Sequence, residues 1–145
     1  MAKFSFHLEP VLKHRAEKAT NAEQALAVAH HEYHRRLTIL EGTKQQLEDA
    51  FSFVKEEEDP LDVVYLSYYR ASLNTKIDAQ EHDARIAEKT VERKRNVAIK
   101  ARQDRQVIEK LKDKHYLNYR FEESMKEQKE IDELALYAYL REQNL

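Results

Sequence analysis

The sequence predicts an all-α fold, with two long helices pairing as an antiparallel coiled-coil hairpin and the second, longer helix ending in a C-terminal overhang. The 145 residues include one glycine, Gly42, and two prolines, Pro10 and Pro60. Sheets need turns rich in such residues, so β architecture is excluded. Charged residues reach 36%, and strong helix formers such as Ala, Glu, Lys and Leu dominate. Apolar residues also recur every seven positions, as in coiled coils.

The first helix is predicted over about residues 8–56, with Pro10 tolerated in its first turn. An unbroken seven-residue repeat supports it: Leu12, Ala19, Leu26, Tyr33, Leu40, Leu47 and Val54. Such a repeat keeps one seam facing a partner helix. The companion positions, four residues later, are less apolar: Ala16, Glu23, His30, Leu37, Lys44 and Phe51. We therefore expect a narrow and partly polar seam.

The turn is predicted at about residues 57–60, within the acidic run that precedes Pro60. Proline disfavours helical geometry at the preceding residue and removes an N–H donor. Asp59 is then the expected N-cap of the second helix, with Pro60 at its first position and Asp62 at its third. A short connection between long helices makes them antiparallel neighbours. We expect one coiled-coil domain over residues 1–145.

The second helix is predicted over about residues 60–142. Its seam is expected at Leu66, Leu73, Ile77, Ala84, Ala87, Val91, Ala98, Ala101, Ile108 and Leu111. Counted back from the turn, the first helix is used up at about Ile108. Beyond that point many large apolar groups follow: Leu111, Tyr116, Leu117, Tyr119, Phe121, Met125, Ile131, Leu134, Leu136, Tyr137, Tyr139 and Leu140.

Large apolar groups left exposed on a single helix usually mark a contact surface, and aromatic residues are enriched at interfaces. An alternative is that the segment Phe4-Phe6-Leu8 folds back and covers part of the overhang. We expect a partner-binding site in either case.

Composition excludes several functional classes. Cysteine is absent, so disulfides and thiolate chemistry are excluded. No secretory signal is visible, and the longest apolar runs, Ala25–Ala29 and Leu134–Leu140, fall far short of a membrane span. These features favour a cytoplasmic protein. The formal charge of −2 gives no overall attraction to nucleic acid or anionic lipid.

Candidate chemical groups are weak. His30 and His34 share a helical face beside His31, but two histidines do not complete a metal site, and we interpret them as surface residues. The basic run Arg93–Arg105 superficially resembles a DNA-contacting zipper region, yet the zipper that should follow it is missing. The carboxylate pairs Glu88/Glu92 and Glu123/Glu127 have no cleft to shift their pKa values. We expect neither catalysis nor a cofactor.

The N-terminal stretch Phe4-Ser5-Phe6-His7-Leu8-Glu9-Pro10-Val11-Leu12-Lys13-His14-Arg15 resembles the start of the FliJ family of flagellar export proteins. That family typically shows F-x-F-x-L-E-x-V-L-x-x-R, and every fixed position matches. The stretch from Glu127 to Ala135 is similar to the family's closing segment. Length, a two-helix layout and the absence of cysteine agree.

The resemblance implies a non-enzymatic, stalk-like component of the flagellar type III export apparatus, peripherally associated with the inner membrane. The implied partners are the hexameric export ATPase, the membrane export gate and export chaperones. Tyr69 and Leu73 correspond to the family's gate contact, whereas Lys76 and Gln80 depart from the rest of that patch. For the ATPase we expect contacts from Phe4, Phe6, Leu8, Tyr116, Tyr119, Phe121, Met125, Ile131 and Leu134.

Two other hypotheses stay open at this point. One is a generic coiled-coil scaffold or chaperone that self-associates through the overhang, in contrast to the monomer that a stalk predicts. The other is nucleic-acid binding through Arg93–Arg105, which the chain's charge disfavours.

Overall fold

The computed structural model describes residues 3–52 and 59–144, which contain two helices, α1 (Glu9–Ser52) and α2 (Pro60–Gln143). No strand occurs in these two ranges. Helix α1 begins one residue after its predicted start, and α2 ends one residue after its predicted end. The predicted last turn of the first helix and residues 57–58 of the predicted turn lie outside the described residues. The predicted all-α fold is confirmed.

The start of α2 has the predicted cap. The amides of Asp62 and Val63 donate to the Asp59 carbonyl at 2.9 and 3.2 Å, and the Leu61 amide donates to Asp59 Oδ1 at 3.3 Å. These bonds occupy N–H groups that a helix terminus otherwise leaves unpaired. Pro60, at the first helical position, has no N–H that needs a partner. Helix α2 thus begins at Pro60, with Asp59 as its N-cap.

The chain divides into two compact units, one of residues 18–101 and one of residues 1–17 together with 102–145. In the first unit, α1 and α2 run antiparallel. As residue numbers rise along α1, the numbers of their contact partners on α2 fall. Arg36 Nη1 lies 3.7 Å from Asp83 Oδ2, Lys44 Nζ lies 3.7 Å from Glu81 Oε1, and Arg70 Nη2 donates to the Ala50 carbonyl at 2.8 Å. The predicted antiparallel hairpin is confirmed here.

Arg70 of α2 makes two contacts with α1. Its Nη2 donates to the Ala50 carbonyl at 2.8 Å, and its guanidinium lies 4.5 Å from the centre of the Phe51 ring. The cation–π contact and the hydrogen bond together hold Arg70 beside Ala50 and Phe51.

The predicted repeat of α1 faces α2, but its companion positions were predicted on the wrong side. Ala19 and Leu40 are buried, and the other described members of the repeat are half-buried. Four of the companions predicted four residues later are exposed, namely Glu23, Leu37, Lys44 and Phe51. The seam instead uses positions three residues after the repeat: Arg15, Ala22, Ala29, Arg36, Thr43 and Ala50 are all buried or half-buried. Four of these residues are small, which lets α2 approach closely, and the other two, Arg15 and Arg36, contact Asp104 and Asp83 of α2.

The seam of α2 follows the prediction at every position. All ten predicted residues are buried or half-buried, with Leu66, Ala87 and Leu111 half-buried and the others buried. Successive positions lie three, four or seven residues apart. A gap of seven is often divided into four and three, or three and four, by a half-buried polar residue such as Arg70 or Gln80. Where the seam contains alanine, at Ala84, Ala98 and Ala101, each residue removes little area from water. The polar contacts beside the seam therefore have a larger share in defining how the helices pair.

The second unit pairs the start of the chain with the later part of α2. Arg15 Nη1 donates to the Asp104 carbonyl at 2.9 Å, and Lys112 Nζ lies 2.8 Å from Glu9 Oε2. Ile108 is buried between these two contacts. The antiparallel arrangement holds here too, and it continues past the N-terminal end of α1 into the residues that precede it.

Candidate partner-binding surfaces

An aromatic cluster joins the segment before α1 to α2. The Phe4 ring lies 5.2 Å from the Tyr116 ring, edge to face, and 5.4 Å from the Tyr119 ring. Phe6 lies 5.5 Å from His115, also edge to face, and His7 stacks on His115 at 5.8 Å. Edge-to-face aromatic pairs stabilise packing beyond the area that they bury. The N-terminal motif is therefore a packing element of this unit.

This cluster corrects the predicted start of the overhang. Pairing was expected to end at about Ile108, with the residues beyond it unpartnered inside the chain. Instead the N-terminal segment covers α2 as far as Tyr119, which is the alternative that the sequence left open. Phe6 is only 7% exposed, Phe4, Leu8 and Tyr119 are half-buried, and Tyr116 stays partly exposed.

The uncovered part of α2, which we call the arm, comprises residues 120–144. Every residue of the arm is exposed except Glu123, which is half-buried. Four of the residues expected to bind the ATPase lie here: Phe121, Met125, Ile131 and Leu134, each more than half exposed. A large exposed apolar surface of this kind is rare on monomeric proteins unless it binds something.

One face of the arm is apolar along much of its length. Helical spacing places Phe121, Met125, Leu136 and Tyr139 on one face, while Glu122, Glu130 and Glu133 lie on the opposite side. A polar pair interrupts the apolar face, since Gln128 Nε2 donates to Asp132 Oδ1 at 3.0 Å. This face can therefore bind an apolar groove that also offers a polar group near its middle.

Within the arm, the run from Leu134 to Leu140 is apolar on all sides. The run Leu134-Ala135-Leu136-Tyr137-Ala138-Tyr139-Leu140 makes nearly two helical turns, so its side chains point in every direction. Leu134 and Tyr137 are each 68% exposed. A helix that is apolar all round is normally enclosed. A flat partner surface would cover only one side of this run.

The two residues expected to contact the export gate differ in accessibility. Leu73 is buried in the seam, whereas Tyr69 is exposed. Two nearby positions differ from the family's gate-binding patch. Lys76 is exposed, and Gln80 is half-buried, with its Oε1 buried without a hydrogen bond. Tyr69 is thus the accessible member of the predicted pair.

Sequence reasoning missed one surface at the start of α2. Leu61, Val64, Tyr65 and Tyr68 are exposed and follow helical spacing on a face separate from the seam. The signal was present as apolar residues at positions i, i+3, i+4 and i+7. It went unnoticed because the seam residues Leu66 and Leu73 overlap this stretch in sequence.

The remaining candidate groups lie on helix surfaces. The His30 and His34 rings stack 6.3 Å apart, and within residues 3–52 and 59–144 no group of three or more His, Asp or Glu could hold a metal ion. In the basic run Arg93–Arg105, Ala98 and Ala101 belong to the seam, whereas Arg93, Lys94, Arg95 and Lys100 are exposed. Glu88, Glu92 and Glu127 are exposed as well.

One carboxylate has a strongly shifted pKa. Glu32 accepts hydrogen bonds from Arg35 at 2.7 and 2.9 Å and from Arg36 at 2.9 Å. These bonds, those of Arg35 first, lower the pKa of Glu32 from 4.5 to about 2. The same contact raises the pKa of Arg35. Two adjacent guanidinium groups around one carboxylate make an ionic cluster on the surface of α1.

None of the described helix segments is both long enough and apolar enough to cross a membrane. The sequence profile of the family described as "Flagellar FliJ protein" matches residues 4–144. No significant match was found among curated proteins or among solved structures. The profile match covers nearly the whole chain, including the N-terminal motif, both helices and the arm. The chain therefore belongs to the FliJ family, the members of which are components of the flagellar export apparatus.

Proposed function

We propose that this protein is a non-catalytic, stalk-like component of the flagellar export apparatus, and that its arm engages the hexameric export ATPase. The observation that carries the proposal is the all-round apolar run Leu134–Leu140. A ring of subunits surrounds an axial helix, so it can cover every side of such a run. Family membership supplies the export apparatus as the setting.

The proposal divides the expected ATPase contacts by accessibility. Phe121, Met125, Ile131 and Leu134 are exposed and supply the contact directly. Phe4 and Phe6 hold the N-terminal segment against α2 next to the base of the arm, through Tyr116, Tyr119 and His115. Leu8, in the same segment, is half-buried. Their contribution to ATPase binding would then come mainly through positioning of the arm.

The proposal also includes the export gate. Tyr69 is the accessible contact, and Leu73 supports it from the seam. In this function the protein acts in the cytoplasm, associates peripherally with the inner-membrane export apparatus, and also contacts export chaperones. It needs no cofactor.

The decisive experiment changes the apolar run in the full-length chain. The triple variant Leu134→Gln, Leu136→Gln and Leu140→Gln removes the apolar groups but keeps good helix formers. We expect at least about a tenfold loss of affinity for the purified export ATPase, with the circular dichroism of the chain unchanged. A matched control, Lys126→Gln with Lys129→Gln and Glu130→Gln, alters exposed polar positions on the same helix. Undiminished ATPase binding by the Leu→Gln variant would sink the assignment of the arm.

The gate contact is tested separately with Tyr69→Ala. The side chain is exposed, so the hairpin should keep its stability, whereas Leu73→Ala would disturb the seam. Weaker binding to the cytoplasmic part of the gate protein, with ATPase binding intact, is the expected result. Unchanged binding to the gate protein would remove Tyr69 from the site.

A further inference from the structure

The N-terminal segment, residues 3–8, meets α2 through a pair of stacked histidines. His7 lies in this segment, which is not helical, and His115 lies on α2. Their imidazole rings are 5.8 Å apart, with 22° between the ring planes. Both residues belong to the same compact unit. The stack therefore joins two elements that can separate without unwinding a helix.

The two histidines take part in most of the ring contacts that hold this segment. Phe6 contacts both of them, His115 at 5.5 Å and His7 at 5.8 Å. Among the described residues the cluster contains five ring contacts, and three of these include a histidine. The charge on the imidazoles therefore affects more of the cluster than the stack alone.

Four charged side chains face the stacked pair, and their charges cancel: Lys3, Glu9, Lys112 and Glu122. Lys112, one turn before His115 on α2, pairs with Glu9 at the start of α1 at 2.8 Å. Lys3 and Glu122 line a groove beside His115. Within residues 3–52 and 59–144, neither imidazole of the stack forms an ion pair with a carboxylate. No negative group therefore offsets a charge on both rings.

Protonation should change this stack in two steps. An ordinary histidine takes up a proton at about pH 6.5. One charge is tolerated, because the face of an aromatic ring attracts a cation. Two charges on rings this close repel each other. The closed form thus binds fewer protons than the released form, so its stability rises with pH.

We propose that His7 and His115 form a pH-sensitive clasp, which holds the N-terminal segment on α2 while at least one imidazole is neutral and releases it when both are charged. Release uncovers Tyr116 and Tyr119. On the opposite side of the same two turns, Leu117 and Phe121 are already 66% and 67% exposed.

The released form therefore presents large apolar groups on both sides of α2 at the base of the arm. The clasp depends on contacts within this chain only. It does not rest on the proposed binding of the ATPase, and it can be tested without any partner.

The test uses the absence of cysteine from the chain, which allows spin labels at chosen positions. Ser5→Cys and Asn118→Cys place the labels on the N-terminal segment and on α2, at exposed positions that line the groove beside His115. Electron paramagnetic resonance then measures the distance between the labels in the full-length chain, at about pH 8 and about pH 5.5. We expect a short distance at the higher pH. At the lower pH the fraction of long distances should be at least about fivefold larger.

The matched variant is His7→Phe, which keeps an aromatic ring for stacking but cannot be charged. In this variant the distance between the labels should stay short at both pH values. An unchanged distance in the chain with both histidines would overturn the proposal. Equal release with and without His7→Phe would do so too, because release would then depend on another group.

A control changes a second histidine stack that lies within one helix. The His30 and His34 rings are 6.3 Å apart on α1. The double change His30→Gln/His34→Gln should leave acid release of the N-terminal segment as it is. Loss of release in this variant would place the pH-sensitive group on α1 and contradict the clasp.

A second label pair distinguishes release from general unfolding. Lys44 and Glu81 lie 3.7 Å apart between the two helices, so labels at Lys44→Cys and Glu81→Cys report on the hairpin itself. Their distance, and the helical circular dichroism, should be the same at both pH values. If acid separated this pair together with the first, the chain would be unfolding as a whole and the clasp would be refuted.

Discussion

Phe6 shows how one residue can match a family pattern and serve the fold of the chain itself. In sequence it is part of a motif expected to bind a partner. In the structure its ring is 7% exposed and packs edge to face on His115. Beside it, Phe4 contacts both Tyr116 and Tyr119. The motif thus positions the segment before α1 at the point where the arm begins.

Glu32 carries a residue-scale prediction about pH. Its pKa of about 2 lies below its ordinary value of 4.5 because Arg35 and Arg36 hydrogen-bond to the charged form. A group with a lowered pKa stabilises the folded state above pH 4.5, and this stabilisation is lost as the pH falls through about 2. A carboxyl carbon-13 NMR titration should show the lowered midpoint. The double change Arg35→Gln/Arg36→Gln should return it towards 4.5.

The control for this titration is Arg93→Gln, whose guanidinium hydrogen-bonds to Thr90 and not to Glu32. It should leave the Glu32 midpoint where it is. A wild-type midpoint near 4.5 would show that the arginine contacts do not persist in solution. Any effect on overall stability should be small, because the Glu32 side chain is 43% exposed and solvent screens the pair.

Among the elements, α2 could be predicted more completely than α1. Its seam combines leucine, isoleucine, valine and alanine at spacings of three and four, which identify one face without ambiguity. In α1 the repeat identified one seam position correctly, but the companion could lie three or four residues later. Leu37 and Phe51 favoured the latter choice. The structure uses Ala29, Thr43 and Ala50, because close approach of the helices favours small side chains over large apolar ones such as Leu37 and Phe51.

The small seam residues lead to a prediction about packing. Ala19 is 0% exposed, so Ala19→Leu should force additional methylene groups into a filled space. We expect the free energy of unfolding to fall by about 1–3 kcal/mol, measured by urea denaturation. Ala27→Leu makes the same change at an exposed position of the same helix and should stay within about 0.5 kcal/mol of the wild type. Equal midpoints for the two variants would show that the seam is loose at Ala19.

At the scale of the whole molecule, the isolated protein should be a monomer. The arm carries seven carboxylates against four basic groups within residues 120–144, so two arms side by side bring like charges together. Light scattering at low salt should therefore give the mass of one chain, 17.3 kDa. A stable dimer or tetramer under these conditions would instead support a self-associating scaffold.

The sequence allowed the hairpin, the helix start at Asp59 and the existence of the arm to be predicted, because each depends on local pattern. It could not show where pairing ends. That point depends on whether residues outside a regular helix, such as Phe4 and Phe6, find a partner at Tyr116 and His115. The exposed surface at the start of α2 was missed for a related reason, since two apolar faces share one short stretch and only burial separates them.

The run Leu134–Leu140 also sets a requirement on the size of whatever encloses it. An α-helix with its side chains is about 10–12 Å across, so an enclosing ring needs an opening of about that width. A closed ring admits such a helix only along its axis, or assembles around it. The lining would have to be apolar around the full circumference, and polar substitutions on any one subunit of the ring would leave the contacts with the others in place.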